Sequence, residues 1–252
     1  MYPFIITFLA GISTVLGVIP TYFNSKYKDK IINLSLSFSS GIMLSISLFS
    51  LIPESINYMG FSFINIILLL LFINIGLIIS TYTDKLIGKR IENNSLYKLG
   101  IVSIIALILH NIPEGVTTFL TTSNNFRIGL TLSLAIALHN IPEGISIAVP
   151  IFYSTKSKMK AIFYTALAGL SEPLGAIITG LFLVNYINDM VLGLLFAVIA
   201  GVMIQISSSK LLPTGNEYNA RYSRIFFIIG FIFTIIIKII MILGGDLILY
   251  QK

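Results

Sequence analysis

The segment Leu109-His110-Asn111-Ile112-Pro113-Glu114-Gly115 recurs residue for residue as Leu138-His139-Asn140-Ile141-Pro142-Glu143-Gly144. Each copy sets an imidazole four residues before a carboxylate. On a helix, His110 with Glu114 and His139 with Glu143 therefore project from one face about one turn apart. Nitrogen and carboxylate oxygen together suit a divalent transition metal, and each pair can close on one ion. Asn111 and Asn140 lie about 100° round the helix and would supply neutral oxygens to a second, adjacent position. Two carboxylates shared between two helices could then bridge two metals. This set fits Zn²⁺, Fe²⁺, Mn²⁺ or Co²⁺ better than Ca²⁺ or Mg²⁺, which prefer all-oxygen shells. Cysteine is absent, which excludes thiolate sites, Cys nucleophiles and disulfides.

Both motifs lie in long apolar stretches. An ionised carboxylate at the centre of a membrane helix costs about 2.5–3.5 kcal/mol on the insertion scale, so each glutamate needs a compensating partner. A third acid, Glu172, occurs in Leu170-Ser171-Glu172-Pro173-Leu174-Gly175 and forms the natural third wall of the site. No lysine lies at that depth to neutralise three carboxylates. A bound cation is the economical partner, and its binding is expected to release protons.

The elements that must position these residues are membrane helices. The 252 residues are 56% hydrophobic and 10% charged, with mean hydropathy +0.96, far from a soluble domain. With about 20 residues needed per span, eight apolar segments are expected, at roughly 3–23, 31–53, 61–83, 99–122, 128–153, 160–184, 188–212 and 223–249. The connections are short, so the expectation is an all-α polytopic bundle forming a single transmembrane domain over 1–252, the first segment retained as a helix. Thirteen of the 16 basic residues fall in the loops after segments 1, 3, 5 and 7, while Arg127 and Lys252 lie on the other side. By the positive-inside rule both termini face outward across the cell membrane. The net charge of +6 thus marks topology and not a nucleic-acid partner. Lys238 lies inside the eighth segment, where it could snorkel or pair. Glu54, after Pro53, reads as an interfacial residue at the outer end of the second.

Segments 4 and 5 are joined by a short turn from Ser123 to Arg127 and must be antiparallel neighbours, with each motif near the bilayer midplane. Pro113 and Pro142 remove backbone N–H groups and free the carbonyls of Leu109 and Leu138. Such kinks are tolerated at membrane depth where they line a cavity or bury in protein. Gly115 and Gly144 permit close helix approach. Proline, glycine and ligands agree on a polar pathway at the depth where transporters place their substrate.

These residues resemble the ZIP family of zinc and iron permeases, whose hallmark is His-Asn-x-Pro-Glu-Gly in the fourth membrane helix and a related His-x-x-Pro-Glu-Gly in the fifth. The similarity is greatest to its bacterial members and covers essentially the whole chain. It implies an eight-helix bundle with both termini outside and a midmembrane binuclear site. Asn111, Glu114, Asn140, Glu143 and Glu172 match one metal position of the family, Glu114, His139 and Glu143 match the other, and His110 is a further ligand. Met43, in the second segment, stands where some bacterial members carry a methionine. Three departures accompany the resemblance. The stretch Asp84 to Lys98 lacks the histidine-rich loop of many relatives, Lys210 replaces an acidic residue before the Leu-x-Pro closing the seventh segment, and Asn140 stands where some relatives place aspartate.

The function expected is a transporter that admits Zn²⁺, with Fe²⁺, Mn²⁺ and Co²⁺, into the cytoplasm. Its partners are the metal ions and membrane lipid, with a homodimer as the assembly considered, no nucleic acid and no resident cofactor. The competing reading is a membrane-embedded dimetal carboxylate enzyme. Di-iron enzymes typically use Glu-x-x-His and zinc proteases His-Glu-x-x-His, whereas this chain has His-x-x-x-Glu with an internal proline.

Overall fold

The computed structural model describes residues 1–23, 25–90, 94–183 and 188–249, and among these there is no strand. Seven helical stretches are long and apolar enough to cross a membrane. We label the first six α1 (Tyr2–Tyr22), α2 (Lys28–Met59), α3 (Phe63–Ile87), α4 (Ser95–Asn124), α5 (Phe126–Thr155) and α6 (Lys158–Phe182). The last, Asp189–Ile240, runs 52 residues and is interrupted by the extended backbone of Asn219 (φ −169°, ψ 104°). We label its two parts α7 (189–218) and α8 (220–240). Hydrogen bonds show that the chain reverses between them. Ser40 and Ser55 of α2 donate to the carbonyls of Ser207 and Gly193, so α7 runs antiparallel to α2. Asn33 reaches the Asn219 carbonyl and Ser37 meets Ser223, so α8 runs parallel to it. Lys252 lies outside the described residues.

Helix starts are set by polar side chains that accept from first-turn amides. Asn94 caps α4 at Tyr97 N–H (3.0 Å), Ser157 caps α6 at Lys160 N–H (3.3 Å), and Asn188 caps α7 at Val191 N–H (2.9 Å). The first two caps carry α4 and α6 beyond their apolar segments. The connection between α4 and α5, expected from Ser123 to Arg127, narrows to the single extended residue Asn125. Its N–H closes α4 on the Thr121 carbonyl (2.8 Å) while its side chain accepts from Arg127 and Ile128 N–H (3.1 Å each). The loop expected from Pro213 to Tyr222 is helical apart from Asn219, which caps α8 through Arg221 and Tyr222 N–H.

The helices pack as two groups. In one, α1, α4, α5 and α6 meet through glycines. A Cβ at Gly115 would collide with the Glu172 carbonyl, at Gly175 with that of Ile112, and at Gly144 with that of Thr14. In the other, α2 meets α8 where Gly41 abuts Phe227 and Gly230 abuts Phe38, and α7 meets α3 where Gly201 abuts Ile73 and Gly76 abuts Val198. Such approaches maximise van der Waals contact where lipid offers no hydrophobic drive between helices. Among the described residues no glycine brings a backbone of one group against the other. The groups touch through apolar side chains, through Ser39 donating to the Pro142 carbonyl (2.7 Å), and through Lys98 paired with Asp84 (3.3 Å).

Reciprocity of the glycine contacts exposes an internal repeat. The α2 sequence Ser40-Gly41-Ile42-Met43, followed by Ser47 and Leu51-Ile52-Pro53, corresponds to Ala200-Gly201-Val202-Met203, Ser207 and Leu211-Leu212-Pro213 in α7. Each widens into a π-helical turn, Ser47–Leu51 and Ser207–Leu211, just before its proline. Because α2 and α7 are antiparallel, the repeat is inverted.

A side chain at the glycine contacts should separate packed backbones. Gly41→Val is expected to cost about 1–3 kcal/mol, the usual range for overpacking, and to lower the melting temperature in detergent. Phe163→Leu, on the lipid face at 62% exposure, should leave melting unchanged.

Candidate metal site

Burial is greatest in α4, at 72% of its membrane window against 17% for α3. The first motif therefore sits in the middle of the protein and not on lipid. Helical spacing aims His110 and Glu114 the same way, their Nε2 and Oε1 atoms 3.3 Å apart. The antiparallel α5 brings His139 Nε2 to within 2.9 Å of Glu114 Oε1, and Glu143 Oε1 lies 3.3 Å from His110 Nε2. His110, Glu114 and His139 each offer a ligand atom within 4.8 Å of the others, a spread one ion can gather with a small rotamer change.

Close packing at the motif glycines supplies the rest. Because Gly115 lets α6 approach, Glu172 Oε2 accepts from Asn140 Nδ2 (2.9 Å). The carboxamide nitrogens are otherwise spent on backbone: Asn140 Nδ2 donates to Ala10 of α1 and Asn111 Nδ2 to Ala168 of α6, each at 3.0 Å. That orientation leaves Oδ1 of both asparagines buried without a donor. Both oxygens of Glu143, Oε2 of Glu114 and Oε1 of Glu172 are in the same position. Thus six buried oxygens on three helices make no hydrogen bond, and of these Glu143 Oε1 has only the 3.3 Å ion-pair contact with His110. Burial of unpaired acceptors is costly, and a cation is the partner that satisfies several together.

A cavity of about 510 Å³ reaches this cluster at Glu114 and His139. Its walls include Thr117 and Thr121 of α4, so it runs toward the α4–α5 turn, and its upper part holds Glu54, Tyr58, Phe233 and Lys238. Glu54, expected at the interface, thus lines the approach. Lys238, expected to snorkel or pair, donates to the carbonyl of Phe49. That carbonyl lies four residues before Pro53, which has no N–H to give it.

Seven of the eight residues singled out in the sequence, His110, Asn111, Glu114, His139, Asn140, Glu143 and Glu172, converge here. Met43 is fully buried in the apolar core of α2, and the cavity wall beside it is Ile42 and Ile46. The contribution of α1 was missed. Ala10 holds Asn140, Ser13 donates to the Ala137 carbonyl (3.0 Å), and Gly17 admits Gly144. The available signal was Gly11 and Gly17 in an otherwise bulky segment.

The family model described as ZIP Zinc transporter matches residues 91–238. Among curated proteins, the chain is similar to a zinc transporter ZupT of Clostridium perfringens, 36% identical with 90% of this chain and 91% of the relative covered. Proteins of the same name from Campylobacter jejuni (34%; 90% and 91%) and Oceanobacillus iheyensis (35%; 90% and 92%) match over similar lengths.

Removal of the orphaned oxygens should remove the ion. Equilibrium dialysis of the folded protein in detergent is expected to show zinc bound to the parent chain and none above background in Glu114→Gln, Glu143→Gln. Asn140→Ala, which releases Glu172, should weaken binding by about 10- to 100-fold, as loss of an orienting partner does.

Proposed function

The chain belongs to the ZIP zinc transporter family, and on that premise we propose that it carries Zn²⁺, together with Fe²⁺, Mn²⁺ and Co²⁺, into the cytoplasm through the His/Asn/Glu cluster. It is a multi-pass protein of the cell membrane and a transporter, not an enzyme. The observation that carries the reading is a set of six buried oxygens without hydrogen bonds, clustered behind the Glu114 and His139 end of a cavity. A site made to hold a cation tightly and permanently would have no use for an open approach.

In this proposal the chain crosses the membrane eight times as one domain, and the lysine-bearing connections at Lys26 to Lys30 and Lys156 to Lys160 are cytoplasmic. The open cavity then faces outward and the termini lie outside. An arriving ion exchanges water for His139 and Glu114, then for His110 and Glu143. Glu172, Asn111 and Asn140, with Glu114 and Glu143 shared, form the second position. Without thiolates the softer and harder divalent ions differ little at such a site, which supports the broader metal range. Transport requires the cluster to be exposed in turn to each face. The glycine-locked group of α1, α4, α5 and α6 is suited to move as a body against α2, α3, α7 and α8, since the two share few polar ties. Assembly as a homodimer belongs to the same proposal. It is supported by Asn74, exposed midway along α3, whose amide donates, among the described residues, to the Leu70 carbonyl of its own helix.

Flux into proteoliposomes tests the reading. Zn²⁺ entry is expected with the parent protein, with Fe²⁺, Mn²⁺ and Co²⁺ competing within about tenfold in concentration, a modest discrimination for N/O ligands. Entry should fall to the level of empty liposomes in Glu114→Gln, Glu143→Gln. Undiminished flux in that folded double variant would remove the cluster from the pathway.

A further inference from the structure

The inverted repeat relates the open cavity to a place on the opposite face that is now closed. Four residues of α2 that line the cavity, Ile42, Ile46, Leu51 and Tyr58, correspond at one constant offset to Val202, Ile206, Leu211 and Tyr218 of α7. The partner helices obey a constant offset of their own. Gly41 meets Phe227 and Phe231 of α8 as Gly201 meets Ile73 and Leu77 of α3, and Phe38 meets Gly230 as Val198 meets Gly76. Continued along both helices, this register pairs Lys238 with Asp84. The charges occupy equivalent positions, since Lys238 binds the π-helical turn of α2 and Asp84 binds Lys210 in the π-helical turn of α7 (2.7 Å). They differ in sign and in one further respect. Asp84 is also held by Lys98, which belongs to α4 and therefore to the other helix group (3.3 Å).

We infer that Val202, Ile206, Leu211, Tyr218 and Asp84 are the wall of a second vestibule, opening on the lysine-bearing face when the present cavity closes, with Lys98 as its stopper. This rests on the transport reading above. Inverted repeats exchange the two access geometries when one bundle shifts past the other, so residues equivalent to the present lining become the next one. Movement of α4 withdraws Lys98 from Asp84. The freed carboxylate then lines the release route, and the departing divalent ion takes the place of the ammonium. Ser39 and the Pro142 carbonyl are the other polar tie that this movement breaks. Both ties can be made and broken each cycle, since a partly exposed ion pair contributes little and a single neutral hydrogen bond is modest in net terms.

The absence of native cysteine allows each wall to be read with a single introduced thiol and a membrane-impermeant maleimide applied to one face of oriented vesicles. Ile206→Cys and, independently, Leu211→Cys report the closed vestibule, and Ser50→Cys reports the open one. In both Asp84→Asn and Lys98→Gln backgrounds, labelling at 206 and 211 from the lysine-bearing face is expected to accelerate about two- to fivefold, the effect of one exposed ion pair. Labelling at 50 from the other face should slow. Asp84→Asn should also lower maximal zinc flux several-fold with KM unchanged, whereas Lys98→Gln, which keeps the carboxylate, should not. Unchanged labelling at both 206 and 211 in folded protein would overturn the vestibule, and equal loss of flux in the two variants would overturn the role of Asp84 on the release route. A parent protein without zinc flux would overturn the transport reading instead, and the labelling would still read the vestibule.

Discussion

Buried carboxylate oxygen without a donor is the constraint on which the rest of this structure depends. Glu143 and Glu172 are shut away from water and Glu114 meets it only where it lines the cavity, while the asparagine amides beside them turn their nitrogens to backbone carbonyls and their oxygens inward. Imidazoles relieve part of the cost, yet two histidines cannot satisfy six open acceptors. The bundle must therefore keep lipid away, hold three helices close enough for one ion to touch all of them, and leave a hydrated path to the ion. Gly115 and Gly144 meet the second demand, because a Cβ at either would drive its helix from the neighbour that completes the site. The cavity ending at Glu114 and His139 meets the third.

Rigidity and mobility are then divided by residue type. Within each helix group, reciprocal glycine contacts lock backbone against backbone, an arrangement that does not deform gradually. Between groups the contact is made by side chains, with the Ser39 hydroxyl and the Lys98–Asp84 ion pair among its polar ties in the described residues. Prolines follow the same division. Pro113 and Pro142 sit inside the site and reshape the carbonyl row there. Pro53 and Pro213 each follow a π-helical turn in α2 and α7, helices of the other group.

Much of this was legible in the sequence. A duplicated His-x-x-x-Glu fixes its own geometry once the segment is helical, because the i to i+4 relation is local, and Glu172 announced itself as an acid with no reason to be in lipid. Other parts depended on long-range register, which no local pattern encodes. The Ala10 carbonyl that orients Asn140 carries no side-chain signal at all. Helix ends were misjudged at Asn94, Asn125 and Asn219 because a capping side chain extends a helix past the apolar segment that periodicity detects. The inverted repeat was faint for a related reason. Its identical positions, such as Gly41 and Gly201, Met43 and Met203, Ser47 and Ser207, Pro53 and Pro213, are scattered among apolar residues that are interchangeable in lipid.

The repeat preserves shape but not charge, and the difference falls where the pathway meets each face. Equivalent positions carry Lys238 beside the open cavity and Asp84 on the closed side. Lys238 is bound to a carbonyl that proline chemistry leaves free, so its ammonium is anchored within its own helix group and has no part to lose when the other group shifts. Asp84 has one partner in each group, Lys210 on α7 and Lys98 on α4, and must lose the second in any such shift. On the vestibule reading, Lys210 has its own use at the α7 end. A lysine there keeps Asp84 charged and in place at the moment its other partner leaves. The carboxylate that a single helix position fails to provide is supplied from the neighbouring helix by an ion pair.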